Sequence, residues 1–112
     1  MNYRPERVSN LIREELANLI QREMEFEPGV LVTLTYVDVD KKLGRAKVGV
    51  SVLPSEKATL AMARLREQAK NLQFQLLRKI NIKPMPQIIF ELDRGLENAA
   101  EVEKALLKDN NK

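Results

Sequence analysis

A chain of 112 residues, 44% of them apolar and with a formal net charge of +3, holds one modest core and not two. It has neither histidine nor cysteine, which removes the commonest general base, the best nucleophile, the usual zinc ligands and any disulfide. No apolar run approaches the roughly 20 residues that span a bilayer, and no apolar leader opens the chain, so a soluble protein of the reducing cytoplasm is expected.

In chain order, Pro5 suits a first helical position, and Val8, Leu11, Ile12, Leu16, Leu19 and Ile20 recur at three- and four-residue steps. That predicts an amphipathic helix over 5–24, stopped by Glu27-Pro28-Gly29. Residues 31–39 are rich in β-branched side chains and alternate imperfectly, whereas 45–52 alternate cleanly, with Ala46, Val48, Val50 and Val52 on one face. The short link Asp40-Lys41-Lys42-Leu43-Gly44 makes the two strands an antiparallel hairpin. Ser55 is placed to cap the next helix. Ala58, Ala61, Met62, Leu65 and Ala69 run at helical spacing, continued by Leu72, Leu76, Leu77 and Ile80. Asparagine is a poor interior residue and tolerates left-handed geometry, so two helices are expected, about 56–70 and 72–81, with a kink at Asn71. Pro84 and Pro86 end that unit. A third strand over 87–93 and a last helix over about 96–108 follow, then a frayed tail at 108–112. Helices covering the apolar face of a small sheet make a two-layer α+β domain.

The charge is unevenly spread. Residues 57–83 hold seven basic side chains (Lys57, Arg64, Arg66, Lys70, Arg78, Lys79 and Lys83) against Glu67 alone, while both ends of the chain are slightly acidic. Such a block on a nearly neutral protein is the footprint of a phosphate-binding face, and equally that of a solvated helix surface. Arg45 and Lys47 point away from the apolar side of their strand, towards RNA or simply towards water. Arg4, Arg7 and Arg13 have Glu6, Glu14 and Glu15 as helical neighbours to neutralise them. Asp38 and Asp40 are too few for a hard-cation site. The scattered glycines build neither GxGxxG nor GxxxxGK[ST]. The five aromatics are dispersed, so base stacking is expected to be minor. A carboxylate such as Glu91 or Asp93 is the remaining catalytic route, and a strand-terminal Asp is more often a turn residue. No enzymatic activity, cofactor or metal is expected.

Several segments, taken in order, resemble the ribosome-binding factor A family, over about residues 4–107. They are Arg7-Val8 with Ile12 and Glu15-Leu16; residues 32–39; Leu43 with residues 46–52; and residues 86–93 ending at Asp93. The resemblance implies a single type II KH-like domain of α-β-β-α-kink-α-β order plus a C-terminal helix, with a three-stranded mixed sheet. The family replaces the KH GxxG loop with an Ala-x-Gly kink; here Ala69-Lys70-Asn71 stands there, and Gln73, Phe74 and Gln75 stand where the family carries an arginine. The implied function is binding to the immature 30S subunit and its 16S rRNA, with help in late rRNA maturation. A GTPase that promotes release is an implied partner, and a monomer fits. On this reading Asn71 begins a helix that offers N–H groups to sugar–phosphate backbone, with Ala69 and Lys70 beside it in the kink. Arg64, Arg66, Arg78, Lys79, Arg45 and Lys47 then supply charge. The alternative is an adaptor that docks on ribosomal proteins or a GTPase without touching RNA.

Overall fold

The computed structural model describes residues 4–95; the expected helix over 96–108 and the tail lie outside the described residues. Helix α1 spans Pro5–Glu23, strand β1 Leu31–Val39, strand β2 Arg45–Leu53, helix α2 Ala58–Glu67, helix α3 Ala69–Lys79 and strand β3 Gln87–Leu92. Strand order is β1-β2-β3, with β1 antiparallel and β3 parallel to the central β2. Among the described residues no helix is long and apolar enough to cross a membrane.

The alternation of β2 decides how the layers stack. Ala46, Val48, Val50 and Val52 are buried, and register places Val39, Val37, Leu34 and Val32 beside them from β1. Ile88, Phe90 and Leu92 join the same face from β3. All three helices cover this face: α1 packs on β1, α2 on β2 and β3, and α3 on α1 and β3. Val8, Ile12, Leu16 and Leu19 of α1, Leu65 of α2, and Leu72 and Leu76 of α3 are fully buried there. The imperfect alternation of β1 has a cause: a bulge between Leu34 and Tyr36 leaves Thr35 without a partner in register. The Tyr36 ring then lies across Gly49 on the opposite face, and a Cβ at Gly49 would collide with it.

Loop chemistry agrees with the sequence in part. Glu27-Pro28-Gly29-Val30 forms a tight turn closed by the Val30 N–H on the Glu27 carbonyl at 3.0 Å, with Gly29 at φ +84°. The helix itself ends earlier, at Glu23. Leu43 adopts φ +57° in the hairpin link, where Gly44 N–H donates to Asp40 Oδ1 at 2.7 Å. Ser55 does not cap α2; it opens a short 3₁₀ turn, Ser55–Lys57, and no side chain caps either start.

The break between the two central helices falls at Gln68, three residues before Asn71. Gln68 has φ −90° and ψ 0°, and its N–H returns to the Arg64 carbonyl at 3.2 Å. Neither Gln68 nor Ala69 is a helix breaker by propensity; tertiary contacts set the bend. Leu72 and Leu76 are buried in the shared core, and the Gln73 amide bridges to the start of β3, donating to the Pro86 carbonyl at 2.7 Å and accepting from Ile88 N–H at 2.8 Å. Asn71 sits inside the first turn of α3, and the only described non-glycine residue at positive φ is Leu43.

Candidate nucleic-acid interface

Helix α3 starts without help from its own cap residue. Its first backbone bond runs from Leu72 N–H to the Gln68 carbonyl at 2.9 Å, so the N–H groups of Ala69, Lys70 and Asn71 have no carbonyl four residues back inside α3. The Gln68 side chain does not cap them; its Oε1 accepts from Asn71 Nδ2 at 3.4 Å, and Asn71 Oδ1 accepts from Gln75 Nε2 at 3.3 Å. Residues 69–79 include no acid. A helix N-terminus with Lys70 in its first turn and no acid along the helix favours anions on both counts; Glu67, the last residue of α2, is the acid beside it in sequence.

The basic block does not gather on one face. In α2 the inward residues are Ala58, Ala61, Met62 and Leu65, so at 100° per residue Arg64 and Arg66 leave on opposite flanks. The Arg64 guanidinium lies 6.0 Å from the Phe26 ring centroid. An Arg66 N–H donates to the Phe90 carbonyl at 3.4 Å, meeting an edge group of β3. Lys57 pairs with Glu27 at 2.9 Å. In α3, Lys70, Phe74 and Arg78 follow one another at four-residue steps opposite the buried Leu72 and Leu76, and all three are exposed. The Arg78 guanidinium stands 5.9 Å from the Phe74 centroid. Asn71, Phe74, Gln75, Arg78 and Lys79 line one shallow groove along the helix. Ala69 is half-buried against the core, so only its backbone faces outward chemistry.

Arg45 and Lys47 lie on the other face of the sheet, with Lys47 opposite Asp38 across the hairpin. They share no surface with α3 among the described residues. That face also carries Tyr36, whose hydroxyl donates to Glu91 Oε2 at 3.1 Å. Burial first, then the Glu91 hydrogen bond and charge, push its ionisation above the usual phenol range. The nearby Thr35 hydroxyl, and then the Gly95 N–H at 2.9 Å, hold the Asp93 carboxyl below its ordinary value. The Thr35 contact is loose, since its buried Oγ1 makes no well-formed hydrogen bond. Asp93 is therefore a turn residue, and among the described residues no group of three acidic side chains could hold a metal ion.

Phe74 is not among the residues that the sequence marks as facing a ligand. The signal is nonetheless present: Leu72, Leu76 and Ile80 make the inward stripe, which leaves Phe74 and Leu77 off it.

An α-β-β-α-α-β order, with one face of a mixed sheet under helices and a break at Gln68 between the two central ones, defines a KH-like domain of type II topology. Ribosome-binding factor A from Thermus thermophilus superposes on it with a TM-score of 0.68 at 22% identity, covering 81% of this chain and 97% of that one. A model of the Thermus thermophilus factor fitted into a cryo-EM map of its 30S complex gives 0.63 at 23% identity, covering 76% and 90%. The chain belongs to the ribosome-binding factor A family, whose model matches residues 4–106. Ribosome-binding factor A of Desulforamulus reducens is 32% identical over 98% of this chain and 92% of its own length. That of Pseudomonas putida GB-1 is 34% identical over 95% and 86%.

Proposed function

We propose that this protein binds the immature 30S subunit through its 16S rRNA and assists late maturation of that RNA. The observation that carries the reading is the acid-free start of α3, with its first-turn N–H groups and Lys70 presented together on a domain of this family. Phosphate oxygens dock on the N–H groups of Ala69, Lys70 and Asn71, while Lys70, Arg78 and Lys79 neutralise neighbouring phosphates. Such contacts position the protein without reading sequence; the shape of the folded RNA supplies selectivity. Arg64 and Arg66 act mainly on the protein's own groups, and Arg45 and Lys47 serve a separate surface. The same proposal has the protein acting as a cytoplasmic monomer without catalysis, and released with the help of a GTPase.

Binding to purified 16S rRNA and to 30S precursors, measured from low to moderate salt, tests this. Steep weakening with salt supports phosphate contact. A flat response, with binding to 30S particles retained, means the protein docks on ribosomal proteins instead.

A further inference from the structure

Helix α3 is apolar on two sides. Leu72 and Leu76 fill the core, yet Phe74 is 57% exposed and Leu77 48% exposed on the far side. A phenyl ring left in water is costly unless something covers it. Its immediate surroundings say what kind of partner does so. Lys70 lies one turn before it, Arg78 one turn after, and the amides of Asn71 and Gln75 line the same groove. The groove has cations and neutral hydrogen-bonding groups and no carboxylate, which suits a polyanion that also carries flat apolar surface.

We propose that Phe74 is a stacking platform for one unpaired base of RNA, with Lys70 and Arg78 on the phosphates to either side. The inference rests on the RNA-binding reading above and extends it from backbone contact to base contact. Arg78 on the ring helps to fix the platform and brings its charge within reach of the strand. Duplex RNA keeps its bases stacked inside, so this face selects unpaired RNA over duplex. The dispersal of the aromatics along the chain does not point to such a contact, because one exposed ring is enough where cations bracket it.

The chain contains no tryptophan, so Phe74→Trp installs a single indole at the proposed contact. Its fluorescence is expected to be quenched by an oligoadenylate decamer and not by a duplex RNA of equal length. Phe74→Leu keeps an apolar side chain and good helix propensity; it is expected to weaken decamer binding about tenfold, in line with about 1–3 kcal/mol per stacked base, with the salt slope unchanged. Full decamer affinity in Phe74→Leu, with a steep salt slope, overturns the platform while leaving phosphate contact intact. Loss of 30S binding by Phe74→Leu with unchanged decamer binding assigns the face to a protein and also overturns it. If the unaltered protein binds neither 16S rRNA nor the decamer at any salt, the RNA reading has failed and the platform falls with it.

Discussion

Helices α2 and α3 are neighbours in sequence, separated by one residue, similar in length and both rich in cations. They use those cations differently. Around α2, Lys57 is paired with Glu27, Arg64 faces Phe26 and Arg66 meets the Phe90 carbonyl. Along α3, Lys70 and Arg78 stand on the outermost stripe with only the Phe74 ring between them. Arg64 and Arg78 stand 6.0 and 5.9 Å from a ring centroid, so what separates the helices is that Phe26 packs against the core while Phe74 is exposed, and a sequence tally over 57–83 cannot show this.

The inner faces of the two helices are expected to behave alike. Leu65→Ala and Leu72→Ala, both fully buried, should each destabilise the domain by about 2–5 kcal/mol in chemical denaturation. A cost well under 1 kcal/mol at Leu72 would mean that α3 is not anchored as described. A smaller effect is expected at the bridge to β3: Gln73→Ala leaves the Pro86 carbonyl and the Ile88 N–H without their partner, at about 1–3 kcal/mol by the same measurement. The position of the bend sets a subtler difference. Asn71 is helical, so Asn71→Gly should lower stability by roughly 0.5 kcal/mol; a gain would place left-handed backbone there.

The sheet face opposite the three described helices offers the smallest effect. With Tyr3→Phe as background, ultraviolet titration should place the Tyr36 midpoint above 10.0, and Glu91→Gln should lower it without abolishing the shift, since burial is the larger cause. The sign for stability follows. A raised folded-state pKa stabilises the fold fully below the unfolded value, and that stability is lost as pH rises through the folded value. Alkaline solution should therefore weaken the Tyr36–Glu91 contact as the phenol ionises.

Periodicity makes most of the fold legible. The stripe of α1, the alternation of β2 and the hairpin between 39 and 45 each follow from a local pattern that burial then respects. The bend does not, because its cause is remote in sequence: Gln73 reaching Pro86 and Ile88, and Leu72 and Leu76 filling the core, reorient a stretch whose local propensity is helical throughout. Asn71 draws attention as the residue with turn chemistry, yet its amide only links Gln68 to Gln75 across the first turn. The candidate site is legible in part. Lys70 and Arg78 are marked by charge, whereas the separation of Arg64 from Arg66, and of Arg45 and Lys47 from all the rest, needs three dimensions. Phe74 needs the core to be known first, since an apolar residue is informative only once it is seen to lie outside.

The claim that α3 and not α2 grips RNA backbone is tested most directly by the salt slope of 16S rRNA binding in paired variants. Lys70→Gln with Arg78→Gln is expected to reduce the slope by about 1.5, near the roughly 0.7–0.9 expected for each lost phosphate contact, while Arg64→Gln with Arg66→Gln leaves it unchanged. A slope lowered by the α2 pair and untouched by the α3 pair would contradict the account.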